Sequence, residues 1–136
     1  MAESVLVDAG FLIALLTKRD SNHRWAAAES LKYPPPWSTC EAALSEAFYL
    51  LGVKGAPALS ALLRRGAVLC SFAFGGELDS VLALMDKYAD VPMSLADGCL
   101  VRMSETLPKP VLLTTDNDFR IYRRHSRQAV PCVFPM

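Results

Sequence analysis

Apolar residues along the chain fall into short unbroken runs, separated by longer stretches in which they recur every three to four positions. The runs Val5-Leu6-Val7 and Val111-Leu112-Leu113 are too short for helices and lack polar alternation, the pattern of strands buried on both faces. Ser4 to Val7 is therefore predicted as a first strand and Val111 to Thr115 as a late one, with further strands over Ala67 to Phe72 and Val130 to Val133. Helical spacing predicts a short apolar helix carrying Phe11, Leu12, Leu15 and Leu16. A second, with His23, Trp25, Ala28 and Leu31, would be capped by Asp20 or Ser21 and ended by Pro34-Pro35-Pro36. Ser38-Thr39-Cys40-Glu41 has capping-box spacing and opens a helix through Leu44, Ala47, Phe48 and Leu51, weakened at Gly52 and Gly55. Pro57 suits the first turn of the next, which carries Leu59, Leu62 and Leu63. Leu78, Val81, Leu82 and Met85 mark an amphipathic helix after Gly75-Gly76. Ser94-Leu95-Ala96-Asp97 is a second capping box, ahead of Leu100, Val101 and Met103, and a short helix is expected after Asp116. Strands alternating with helices imply an α/β fold with a mostly parallel, helix-covered sheet.

Four acids stand at junctions of this pattern. Asp8 and Asp116 lie just past the carboxyl ends of predicted strands, the edge where open parallel sheets bind ligands. Glu46 and Asp97 fall among apolar helical neighbours, where a lone carboxylate is costly to bury. Each has an ordinary structural explanation. Asp8 and Asp116 suit N-caps, and Asp97 suits the end of its capping box, where it complements the helix dipole by about 0.3–1 kcal/mol. Glu46 is harder to explain so: its helical neighbours are Ala42, Ala43, Tyr49 and Leu50, with no base at i±4. Glu41, by contrast, has the capping role available. Two carboxylates about 4 Å apart repel by roughly 4 kcal/mol at an effective dielectric of 20, so four gathered without Lys or Arg need protons or a cation. An all-oxygen set suits Mg²⁺ or Mn²⁺ rather than zinc or copper. No Ser/His/Asp arrangement is evident, and His23 and His125 read as surface or phosphate-facing residues.

Length and composition narrow the class. With 136 residues, 52% hydrophobic and 21% charged, the chain is expected to form a single domain over residues 1–136 with a substantial core. Cys40, Cys70, Cys99 and Cys132 form no C-x-x-C pair and read as buried reduced thiols of an intracellular protein. The run Ala9 to Leu16 is too short to span a membrane and no basic segment precedes it, so a soluble cytoplasmic protein is expected. Net charge is zero but uneven. Residues 1–118 hold all 14 acids and 10 of the bases, a net −4; residues 119–136 hold Arg120, Arg123, Arg124 and Arg127 with no acid, a net +4. Such a basic, aromatic-bearing segment directly after Asp116 would suit a phosphate backbone, although it would equally serve as a solvated helix end. Phosphate-binding glycine motifs are absent. Asp8-Ala9-Gly10 lacks the second acid of a dehalogenase-type phosphatase, and no mid-chain strand-end Asp or late Lys marks a receiver domain.

The segments Val5-Leu6-Val7-Asp8, Leu44-Ser45-Glu46 to Leu51, Ser94-Leu95-Ala96-Asp97 and Thr114-Thr115-Asp116-Asn117-Asp118-Phe119 resemble, in order and spacing, the PIN domain and its VapC-type toxin branch. That resemblance implies a PIN-like three-layer sandwich. It further implies an acidic quartet, Asp8, Glu46, Asp97 and Asp116, holding Mg²⁺ or Mn²⁺, with Asp118 as an auxiliary acid and Thr114 as a supporting hydroxyl. The implied activity is endoribonuclease cleavage of RNA by the toxin of a type II toxin–antitoxin pair, with a cognate antitoxin and a homodimer as partners. One departure stands out. Family members commonly carry Ser or Thr two positions after the first Asp, where this chain has Gly10, and the missing hydroxyl predicts a weaker site. The competing expectations are a PIN-fold RNA- or protein-binding module without efficient catalysis, and a generic α/β ligand-binding domain whose acids are all caps.

Overall fold

In the computed structural model, which describes residues 2–136, the strands are β1 (Ser4–Val7), β2 (Trp37–Ser38), β3 (Val68–Leu69), β4 (Pro110–Leu113), β5 (Arg123–Arg124), β6 (Gln128–Ala129) and β7 (Cys132–Val133). Five of them form one parallel sheet in the order β3-β2-β1-β4-β7, while β5 and β6 pair separately as an antiparallel hairpin. The chain steps outward from β1 through β2 to β3, then crosses back to lay β4 on the other side of β1. The reversal opens a crevice between the carboxyl ends of β1 and β4, the switch point at which such sheets bind ligands.

The pairing Val5↔Val111, Leu6↔Leu112 and Val7↔Leu113 sets the two central strands in register. Side chains alternate between the two faces of a strand. Val5, Val7, Val111 and Leu113 thus join one core with Phe11, Leu12 and Leu59, while Leu6 and Leu112 join the other with Leu100, Val101 and Tyr122. Helices α1 (Ala9–Leu16) and α2 (His23–Lys32) cover the first face; α4 (Leu78–Lys87) and α5 (Leu95–Thr106) cover the second. Helix α3 (Glu41–Arg64) contributes to both cores, Leu44 and Ala47 to one and Ala43 to the other. The two helices expected around Gly52 are the halves of this one bent element. Gly52 sits at φ 69°, ψ −172°, and its positive φ breaks the helical geometry there.

The predicted layers hold, whereas several local signals resolve differently. Ser38 belongs to β2, and Cys40 is the N-cap of α3 without a side-chain bond, so Ser38 and Glu41 form no capping box. Sheet pairing prevails there: Ser38 is in register with both Leu6 and Leu69, and Thr39 donates its hydroxyl to the Val7 carbonyl (2.7 Å). Asp20 accepts from the Asn22 amide in the turn ahead of α2 instead of capping the helix. The strand expected over Ala67 to Phe72 shrinks to Val68–Leu69, and the last one to Cys132–Val133. Cys70, expected to be buried, is exposed just past β3 at the sheet edge. The β5–β6 hairpin is unannounced because its turn residues, His125 and Ser126, take positive φ (48° and 67°) without the usual Gly or Asn.

Phe11 ties these elements together. It is fully buried and meets Trp25 and Trp37 edge-on, at centroid distances of 5.9 and 5.5 Å. Replacing Phe11 by Ala should lower unfolding free energy by about 3–5 kcal/mol in a urea titration. A loss below about 1 kcal/mol would show that α1 is not held as described.

Candidate functional site

Asp8 leaves β1 and Asp116 leaves β4, so adjacent strands deliver two carboxylates to one side of the switch point. Asp97 enters from the first turn of α5 and Glu46 from α3. All four line one cavity of about 110 Å³, together with Gly10, Thr115 and four apolar residues.

Asp8 is buried and held at both oxygens. Its Oδ1 accepts from the Phe11 amide (2.9 Å), which makes it the N-cap of α1, and its Oδ2 accepts from the Thr114 hydroxyl. Thr114 Oγ1 in turn accepts from the Asp116 amide (2.9 Å), so one buried hydroxyl fixes the first acid relative to the strand exit carrying the last. Asp116 Oδ1 caps the short 3₁₀ turn Asn117–Arg120 by accepting from the Asp118 amide (2.8 Å). Asp97 combines two duties. Its amide closes the Ser94 cap (3.0 Å), while its Oδ2 accepts from the hydroxyl of Tyr122 (2.8 Å). Cap and cluster member are therefore compatible descriptions of Asp8, Asp97 and Asp116. Glu46 differs from expectation because it is solvent-exposed, at the rim of the cavity, and carries no burial cost to explain.

Electrostatics register the crowding. Burial is the main cause that pushes the Asp8 carboxyl up to about 7; the Thr114 and Phe11 donors oppose it, and the charges of Asp116 and Asp97 add to it. Asp97 is also raised, first by burial and then, against the donors Tyr122 and Ser94, by Asp116. Among the described residues the ion pairs are Lys32–Glu29, Arg102–Glu77 and Arg102–Glu105, so none of the four acids has a basic partner.

The donor set fits a hard cation. Every donor is oxygen, and each of Asp97 and Asp116 has a carboxylate oxygen outside the bonds just described. Among the described residues no three acids, cysteines or histidines stand close enough to cage an ion. An open arrangement of that kind suits Mg²⁺, which keeps several waters and binds through one or two carboxylates. No cysteine is among the residues lining this cavity, so its side-chain donors are oxygen.

Tyr122 escaped the sequence reading. It is fully buried, stacked edge-on against Tyr88 and Phe119, and its hydroxyl fixes Asp97. The signal was the Phe119/Tyr122 spacing, masked by the arginines around it. Those arginines are not gathered at the cavity. Arg124 donates to the Ser104 carbonyl in the last turn of α5 (2.6 Å), and Arg123 donates to the carbonyls of Arg120, Ile121 and Tyr122. Both thus have structural work at chain ends that lack partners. Arg120 lies over the Phe134 ring (3.9 Å), and Arg127 is exposed in the hairpin turn. Asp118 is half-buried beside Asp116.

Because the folded-state value of Asp8 lies above 3.8, its protonated form favours the fold. That contribution is complete below about pH 4 and is lost as pH rises through about 7, at about 1.4 kcal/mol per unit. In EDTA, the Tm difference between wild type and Asp8→Asn should therefore shift in favour of Asp8→Asn between pH 4 and 7. Parallel Tm curves would contradict the burial described.

Neither a family model nor a curated protein sequence matches the chain. A solved structure does: Mycobacterium tuberculosis VapC20, described as a sarcin–ricin-loop-cleaving toxin, superposes with a TM-score of 0.68 at 21% sequence identity. The match covers 85% of this chain and 92% of that one. At that identity the likeness establishes architecture, and the chain has the PIN-type fold of the VapC toxins.

Proposed function

We propose that the protein is a metal-dependent endoribonuclease, the toxin of a type II toxin–antitoxin pair, acting as one PIN-like domain over residues 1–136. The observation that carries this reading is the convergence of Asp8, Glu46, Asp97 and Asp116 on one cavity at the switch point, without a basic partner among the described residues. Fold likeness to a toxin described as cleaving the sarcin–ricin loop supports RNA as the substrate class.

Asp8, Asp97 and Asp116, with Glu46 at the rim, would hold Mg²⁺ or Mn²⁺. The bound cation would supply charge neutralisation at the scissile phosphate and a lowered pKa for the attacking water. The chain's own contribution is placement. Thr114 and the Phe11 amide orient Asp8, Tyr122 orients Asp97, and the Asp118 amide orients Asp116. Asp118 serves as an auxiliary acid through that turn. Arg120 and Arg127 are the arginines best placed to meet an RNA backbone, since Arg123 and Arg124 hold the end of the fold.

A partner surface lies beside the acids. Tyr49, Leu50 and Val53 are 84%, 57% and 94% exposed on α3. Tyr49 and Leu50 follow Glu46 by three and four positions, and so share its helix face. Apolar exposure of this kind supports a homodimer or a bound antitoxin. No helix among the described residues is long and apolar enough to cross a membrane, in keeping with a proposed cytoplasmic setting.

Asp97→Asn tests the assignment because it keeps the size of the side chain and removes its charge. RNA cleavage in Mg²⁺ should fall at least 100-fold, while the urea midpoint stays close to wild type. Equal cleavage by the variant and the parent would favour a PIN-fold binding module instead.

A further inference from the structure

Gly10 stands where the resembling family commonly carries a hydroxyl, and the structure shows what occupies that space. A Cβ built on Gly10 would lie 2.1 Å from Thr115 Oγ1 and 3.4 Å from Asp8 Oδ1. Any side chain at position 10 therefore collides with the Thr115 hydroxyl as it stands. Thr115 follows β4 and Gly10 lies in the first turn of α1, so the hydroxyl reaches the space beside Gly10 from across the switch point.

The lining of the cavity makes that hydroxyl distinctive. Of its ten residues, four are carboxylates, five are glycine or apolar, and Thr115 is the remaining one. Ionised carboxylates accept hydrogen bonds but donate none, and both Asp8 oxygens are already engaged, so Thr115 supplies the hydroxyl that lines the cavity. Thr114 is already engaged with Asp8 and the Asp116 amide, whereas Thr115 Oγ1 has no hydrogen-bond partner among the described residues. The non-bridging oxygens of a phosphodiester are acceptors only. Nearby, the amides of Ala9 and Gly10 open α1 without intrahelical partners.

We propose that Thr115, admitted by Gly10, donates a hydrogen bond to a non-bridging oxygen of the scissile phosphodiester. Gly10 is thus the residue that leaves room for the Thr115 hydroxyl. This assignment rests on the nuclease reading and adds a substrate contact to it.

The test uses the full chain and four variants: Thr115→Val, Thr115→Ser, Gly10→Ala and the double variant Gly10→Ser with Thr115→Ala. Thr115→Val should lose roughly 10- to 100-fold in kcat/KM on RNA, the range for a hydrogen bond to a charged group. Gly10→Ala should lose a similar factor because its methyl turns the Thr115 hydroxyl away. Thr115→Ser should stay near wild type, and the double variant should recover most of the loss. Two readouts separate substrate contact from mere structure. Mn²⁺ affinity of the protein alone should be unchanged in Thr115→Val. Sulfur at the contacted phosphate oxygen should slow wild type more than Thr115→Val, as coupled partners do. Thr115→Val within twofold of wild type, an equal sulfur effect in both, or weakened Mn²⁺ binding would each overturn the assignment while leaving the nuclease reading standing. Wild type and Asp97→Asn equally inert toward RNA would overturn both.

Discussion

Burial of carboxyl groups where two adjacent parallel strands end is the constraint this structure answers. Asp8, Asp97 and Asp116 line one cavity there with Glu46 at its exposed rim, and the desolvation of Asp8 and Asp97, with a smaller repulsion from their neighbours, acts against the fold. The protein meets part of that cost with donors. Thr114 and the Phe11 amide hold Asp8, Tyr122 holds Asp97, and the Asp118 amide holds Asp116. What remains is a raised pKa at Asp8 and Asp97, caused first by burial and then by the neighbouring carboxylates.

The surrounding fold reads as the support for that crowding. Continuous apolar runs in β1 and β4 make the central strands buried on both faces, and in-register pairing forces their exits to lie side by side. Phe119 and Tyr122 then fold the segment after Asp116 back into the core beneath α5, so one buried tyrosine links the late loop to the first turn of that helix. Arg124 secures the other end of α5 through the Ser104 carbonyl. The basic segment is thus first a clamp on the fold.

Much of this was legible in the sequence because it rests on local pattern. Unbroken apolar runs, the Ser94 cap and the breaking glycine at position 52 each determine their own surroundings. The positions of Asp8, Asp97 and Asp116 followed from strand and helix ends. What stayed hidden depends on contacts between distant segments. Ser38 has the composition of a cap but is committed to β2 by its pairing partners. Glu46 looked costly to bury from its helical neighbours, yet lies at an exposed rim. Tyr122 and Thr115 gain their places only when the chain beyond β4 meets α5 and α1; the Phe119/Tyr122 spacing marks a buried aromatic but not its partner. The His125–Ser126 turn adopts positive φ without glycine, so the hairpin carried no turn signal.

Anomalous diffraction from crystals soaked in Mn²⁺ tests whether these acids form one cation site. An anomalous peak is expected within the cavity between Asp8, Asp97 and Asp116, with carboxylate oxygens and waters as ligands. A peak confined to other acids, or an empty cavity at saturating Mn²⁺, would contradict it.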